Sequence, residues 1–463
     1  MDETIELTRR CRNITFEKLP IDVIDTAKHL FLDYLGITIR GSQTASAKCV
    51  QSMAGRFRST AADMRIIGTD VLTDCLNAAL ANGIAAHSIE CDDVVNEASL
   101  HPAVTIMTTA LSAVNLSGRC SGKKFIEAIV SGYELVIRLG VAVDPARHYA
   151  RGFHPTATCG TFGSAMTAAC IFGLDEKQTV NALGIAGSQA AGSMEYLTDG
   201  VYTKRFHAGW ASKSGLTAAL LAREGFTGPQ TIIEGKFGFL NGYSDDPHPE
   251  RLFADWENPY KIMKTSIKPY ACCRYKQGPI DCILQILQSH QLKPTDIKRI
   301  RVGVLSAGFS LVADPIQKKR QPQTIVDAQF SMPFGAAVAI LFGNAGIDQY
   351  TMQNIHSMEL LDLMARVDCY KDESLDALYP SKWPAEAIVE TTDGKAFTSR
   401  IEYPKGDPEN PLSWEAIQDK FLNMVSTVCS VNQANNIIEC VENLEKIEIE
   451  NVSNVLKDLK REP

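Results

Sequence analysis

Thr161-Phe162-Gly163-Ser164-Ala165-Met166-Thr167-Ala168-Ala169-Cys170-Ile171-Phe172 is a run of small and apolar residues closed by Gly173. Small residues at helical spacing let helices approach closely, and the run lacks the β-branched alternation of a strand. The blocks Val180 to Ala190 and Ala211 to Arg223 share this character, and residues 77 to 225 are dominated by Ala, Gly, Ser, Leu and Ile. This pattern predicts a packed core of short to medium helices. Gly173 and Gly225 stand where left-handed caps end helices. Closer to the N-terminus, Ile24, Ala27, Leu30, Phe31 and Leu35 recur mostly three or four residues apart, which predicts an amphipathic helix over 22–35.

Near residue 265 the pattern changes. Ile297 to Leu305 alternates partly between apolar and basic residues, as a half-buried strand does. Ala387 to Thr391 and Phe397 to Ile401 flank Thr392-Asp393-Gly394-Lys395, and Asp-Gly between two such runs predicts a hairpin. Asp327 to Phe342 between them reads as helix. From Trp414 to Leu459 helical patterning returns, with Ile417, Phe421 and Met424 on one stripe and Val441, Leu444 and Ile447 on another. The expected fold class is mainly α: a discontinuous all-helical domain, residues 1–265 plus 405–463, with a smaller α/β lid domain inserted at 266–404.

The chain has 463 residues, too many for one ordinary core and suited to two or three domains. Its net charge of -8, with no dense Lys/Arg run, argues against a nucleic-acid partner. The first residues lack a secretory pattern, and no apolar stretch reaches the roughly 18 residues that a membrane span needs. A cytoplasmic chain without a membrane partner is expected. The 13 cysteines form no C-x-x-C pair and read as small buried hydrophobes, with no metal site implied. Adjacent Cys272 and Cys273 suit neither a mutual disulfide nor one tetrahedral ion.

Four segments carry groups capable of chemistry. In Asn82 to Asp93, followed by Ser99-Leu100-His101-Pro102, closely spaced acids and an imidazole follow an apolar helix. They suit a pocket, although Asp92 and Asp93 serve equally well as helix-end residues. In Arg151 to Gly163, His154 precedes a Gly/Thr-rich stretch whose N–H groups and hydroxyls suit a carboxylate; close helix packing explains its glycines equally well. Thr203-Lys204-Arg205-Phe206-His207-Ala208-Gly209 offers an anion clamp or a solvated basic turn. In Ile267 to Gln277, Arg274 suits a carboxylate or a structural ion pair.

These segments, together with Glu234-Gly235-Lys236-Phe237-Gly238 and Lys268-Pro269-Tyr270-Ala271-Cys272-Cys273-Arg274-Tyr275, resemble the MmgE/PrpD family in order and spacing over almost the whole chain. The resemblance implies a large helical domain with an α/β lid, usually a homodimer, working on a small polycarboxylate substrate without metal or organic cofactor. It further implies pocket roles for Asp93, His101, His154, Lys204 and the segment around Arg274. On this reading His101 and His154 are acid/base candidates, Lys204 and Arg274 hold carboxylates, and Asp93 orients a neighbour or binds a hydroxyl. Thr156, His207, Tyr275 and Lys276 complete the expected binding set.

Several relatives carry a histidine just after the equivalent of Arg274-Tyr275, decarboxylase-like ones among them, whereas this chain has Lys276-Gln277. The departure directs the expectation toward a 2-methylcitrate dehydratase-like lyase. The alternatives are an epimerase or racemase of a dicarboxylate such as iminodisuccinate, and an inactive helical binding protein.

Overall fold

The computed structural model describes residues 2–57, 63–199, 201–256, 258–457 and 459, so residue 458 of the patterned tail lies outside the described residues. The chain is mainly α, with small sheets. It divides into two compact units: Met1–Thr265 with Ser413–Pro463, and Ser266–Leu412.

Among the helices of the first unit are α1 (Ile21–Gly41), α2 (Cys75–Ala86), α3 (Ala103–Ser117), α4 (Gly122–Ala142), α5 (Pro155–Phe172), α6 (Glu176–Gly187) and α7 (Thr203–Arg223). Helix α5 is central and packs against α3, α4, α6 and α7. All of its residues except Cys170 and Phe172 are buried. A helix with no polar stripe must be covered all round. Its hydroxyls do not obstruct that burial, because Thr161 and Thr167 donate to the carbonyls of Ala157 and Gly163 one turn back, both at 2.9 Å.

Gly173 caps α5 at φ +66°, and Gly225 follows α7 at φ +91°, as the sequence predicts. Several helices outrun the expectation of short to medium length: α1, α4 and α7 each have 21 residues. Helix α1 continues past Leu35 because Ile37 and Ile39 extend its buried surface. The C-terminal helix Trp414–Val425 packs along α1 and buries Ile417, Phe421 and Met424. The second stripe is divided: Val441 lies in the helix Val431–Glu442, whereas Leu444 belongs to a separate 3-10 turn, Leu444–Lys446.

Where α2 crosses α7, glycine faces glycine. A Cβ on Gly83 would lie 2.6 Å from the Gly209 Cα, and one on Gly209 would lie 2.2 Å from the Leu80 carbonyl oxygen. Backbone stands in both positions, so no side-chain movement relieves the overlap.

The second unit holds a four-stranded sheet of order β2-β1-β3-β4, with strands β1 (Ile297–Val304), β2 (Val367–Lys371), β3 (Ala385–Thr391) and β4 (Ala396–Ile401). Strand β2 runs parallel to β1, and the other neighbours are antiparallel. The Asp-Gly hairpin joins β3 to β4, with Gly394 at φ +87°. Helix α8 (Gln277–His290) covers β3 and β4. The helix expected over 327–342 is two pieces, Ile325–Gln329 and α9 (Met332–Phe342). Ser331 interrupts it, since its hydroxyl accepts the Phe334 N–H at 3.1 Å and so begins a new helix.

Gly209→Ala is expected to destabilise the protein by about 1–3 kcal/mol through overpacking. Urea denaturation should show this as a lower midpoint at an unchanged slope.

Candidate active site

Helix α2 ends at Ala86, and His87 caps it. The loop that follows buries His87, Glu90, Asp92 and Asp93. Polar groups removed from water require partners inside the protein. The Asp92 Oδ2 lies 2.8 Å from the His87 Nδ1 and 2.9 Å from the His101 Nδ1, so one carboxylate joins two imidazoles. The His101 Nδ1 also lies 2.5 Å from the backbone oxygen of Asp93. Both of its neighbours are acceptors, which places a proton on Nδ1 and leaves Nε2 as the nitrogen for proton exchange with a ligand. Burial holds His87 below the usual imidazole range, so its Nδ1 proton serves Asp92. Its buried Nε2 has no hydrogen-bond partner among the described residues.

Asp93 faces elsewhere. Its carboxyl accepts the Ala103 N–H at 3.1 and 3.2 Å and the Tyr133 hydroxyl at 2.8 Å, tying the start of α3 to α4. Burial raises it to about 8 against the opposing effect of these donors. The side chain that orients an imidazole is therefore Asp92, and Asp93 plays the helix-end part left open by the sequence.

His154 immediately precedes α5, and its N–H donates to the Gly192 oxygen at 2.9 Å. Its Nδ1 lies 3.0 Å from the His207 Nδ1, and its ring stacks on His87 at 5.9 Å. Burial, then the neighbouring His207, His87, Lys204 and His101, holds His154 well below the imidazole range. Burial brings His207 to about 4. Both rings are neutral at pH 7, so one Nδ1 donates and the other accepts. Thr156 is buried in the first turn of α5, where its hydroxyl accepts the His101 N–H at 3.2 Å.

The glycines after Thr156 do not form an anion cradle. Gly160 and Gly163 lie inside α5, where a Cβ would approach Thr105 and Ile106 to 2.8 Å, so close helix packing accounts for them.

Lys204 projects from the first turn of α7, with its Nζ 2.6 and 2.7 Å from the two Glu90 oxygens. Glu90 itself occupies the left-handed region at φ +56°. Next to it, Arg205 donates to the Ser46 hydroxyl at 2.9 Å. The basic segment is thus anchored rather than a solvated turn. Lys204 and His101 keep part of their side chains open to solvent, whereas His87, His154 and His207 are buried.

The remaining candidates belong to the second unit. Arg274 pairs with both oxygens of Asp407 at 2.6 and 2.7 Å and lies over the Trp383 ring. Tyr275 packs against Trp383 and occupies the space that a side chain at 308 would fill. The fully buried Lys276 Nζ donates to the carbonyls of Ala328 and Gln329 at 2.9 and 3.2 Å and to the Tyr350 hydroxyl at 3.2 Å. Burial lowers its ammonium to about 8. All three of its N–H bonds are therefore spent within this unit.

His87 and Asp92 were absent from the chosen candidates although their run was read as a cluster. Sequence spacing shows that acids and imidazoles are near, but not which carboxylate oxygen meets which nitrogen. Among the described residues no group of three or more His, Cys, Asp or Glu side chains is arranged to hold a metal ion. No described helix is long and apolar enough to cross a membrane.

The lowered imidazoles fix a pH dependence. The unfolded chain takes up protons below about pH 6.5 while buried His207 resists them to about 4, so this contribution to stability is complete above 6.5 and lost as pH falls toward 4. Asp93 acts oppositely: its contribution is complete below 3.8 and lost as pH rises toward 8. Replacing His207 with Gln should therefore flatten the fall in Tm between pH 6.5 and 4.5, measured by differential scanning calorimetry.

Two family models match this chain: the MmgE/PrpD N-terminal domain over residues 6–252 and the MmgE/PrpD C-terminal domain over residues 270–446. The cis-aconitate decarboxylase-like protein oryM of Aspergillus oryzae is 26% identical over 92% of this chain and 91% of its own. The cis-aconitate decarboxylase of Aspergillus terreus is 27% identical, covering 95% of this chain and 92% of the relative. For the cis-aconitate decarboxylase of Homo sapiens the identity is 27%, with 92% and 88% covered. With both of its domains matched along the chain, the protein belongs to the MmgE/PrpD family.

Proposed function

We propose that this protein is a lyase that acts on a small polycarboxylate by moving a proton at a carbon next to a carboxylate. The observation that carries the reading is the Asp92–His101 pair, which presents Nε2 of a partly open imidazole. Removal of such a proton leaves enolate-like charge on the carboxylate, and a nearby cation offsets it. In this mechanism His101 takes the proton at Nε2, and Asp92 balances the imidazolium that forms, as a carboxylate does behind a catalytic histidine. Lys204, held by Glu90, binds the substrate carboxylate. His154 and His207, already neutral, form a relay of two imidazoles for returning a proton.

Within the lyases, loss of water is our first reading. The carbon–hydrogen electron pair forms the new double bond, the carbon–oxygen bond breaks, and hydroxide leaves as water after receiving a proton. Lys276 weighs against decarboxylation rather than for any particular acid in the dehydration: it stands where the family resemblance leads one to expect a histidine in decarboxylase-like members, and its three N–H bonds are spent on two carbonyls and a phenol. Decarboxylation is the second reading, favoured by the names of the related enzymes. There a carbon–carbon bond breaks, carbon dioxide departs, and the remaining electron pair takes a proton. A small polycarboxylate as partner, a homodimeric state and a cytoplasmic location are part of the same proposal.

Proton NMR in deuterium oxide with citrate, 2-methylcitrate, cis-aconitate and iminodisuccinate tests it. A new alkene from a hydroxy acid supports dehydration, and loss of cis-aconitate with release of carbon dioxide supports decarboxylation. Deuterium exchange without either change makes the protein an epimerase, and no change with any substrate overturns the lyase reading for this panel. His101→Gln should reduce kcat by about 10²–10⁴-fold. Asp92→Asn should reduce kcat more than it changes KM, whereas Lys204→Ala should also raise KM.

A further inference from the structure

The first unit contains a cavity of about 120 Å³ built from residues that the proposed mechanism does not use. Ile67, Leu72, Leu111 and Leu456 give it apolar walls. Polar groups come from Arg65, Asn115, Ser453 and Lys457, and no carboxylate lines it among the described residues. Most of the wall is held by regular structure, with Leu456 and Lys457 directly following the last helix. Arg65 and Leu72 are paired in a short antiparallel hairpin, Leu111 and Asn115 lie one turn apart on α3, and Ser453 lies on the helix Ile449–Val455.

Its polar groups are only partly satisfied. Arg65 Nη1 donates to Asp70 at 2.8 Å, but Asp70 is 87% exposed and solvent weakens that pair. The Arg65 Nε is buried and lacks a hydrogen-bond partner among the described residues. A buried guanidinium N–H left unpaired is costly, and a carboxylate oxygen is its natural partner. The Asn115 amide donates to the Cys75 sulfur at 3.0 Å, a weak acceptor that an oxygen readily outcompetes.

Size and chemistry together limit the ligand. The volume is close to that of a cavity able to take a benzene-sized molecule. Lys457 is exposed and donates to the Asn454 side-chain oxygen at 2.9 Å, so Arg65 is the cation that faces the apolar walls, and a second carboxylate would be placed against leucine and isoleucine. We infer that this cavity is a second binding site, for a monocarboxylate with a short apolar tail, its carboxylate on Arg65 and its tail between Leu111 and Leu456.

Hexanoate is the probe, with hexan-1-ol and succinate as comparisons, followed by ligand-observed NMR on the full chain. Saturable hexanoate binding is expected, at least tenfold tighter than that of either comparison. Arg65→Met should weaken it by tenfold or more. Ser453→Phe, on a partly exposed helix position, should block it while circular dichroism remains unchanged. Lys204→Ala should leave it unaltered, which separates this cavity from the candidate active site. Equal binding of hexanoate and hexan-1-ol, retention in both Arg65→Met and Ser453→Phe, loss in Lys204→Ala, or no binding would each overturn the assignment.

Discussion

The crossing of α2 and α7 at Gly83 and Gly209 is the constraint on which the candidate site depends. With backbone against backbone, the two helices lie closer than any pair of side chains would permit. His87 follows Gly83 by four residues, while Lys204 and His207 precede Gly209 by five and two. One contact thus brings the end of one helix to the beginning of another. The imidazoles meet because two side chains are missing a turn away.

Such proximity would be ruinous if the groups were charged. Four imidazoles and a lysine share a small buried volume, and each added positive charge would oppose the others. Burial keeps His87, His154 and His207 neutral, which lessens the repulsion, and Asp92 and Glu90 supply the negative charge beside His101 and Lys204. Hydrogen bonds between uncharged rings can then fix geometry without the cost of a buried ion. Both open members, His101 and Lys204, are backed by carboxylates, and Asp92 is shared with the buried His87.

The helical core was legible because it rests on local pattern: α5 announces itself by small residues without alternation, and Gly173 marks its end. The β3–β4 hairpin was equally plain, since Asp-Gly specifies its turn. Strand β2 escaped notice, because Val367 to Lys371 acquires its place from parallel pairing with a distant β1 rather than from its own composition. Ser331 divided an apparent helix for a similar reason, a cap being a matter of one hydroxyl against the periodicity of many residues. At the site, motifs located His101, His154, Lys204 and His207, but adjacent Asp92 and Asp93 look alike in a sequence. Backbone direction alone turns one toward imidazoles and the other toward Tyr133.

Lys276 shows how a position can become committed. Its ammonium joins two carbonyls and a phenol, and Gly335 leaves room for its stem, where a Cβ would stand 2.6 Å from the lysine Cε. Exchange for a shorter ring would orphan the acceptors and open a void beside that glycine. Histidine at 276 alone would therefore cost stability irrespective of what it offers to chemistry, because the surroundings are shaped to an ammonium on a long stem.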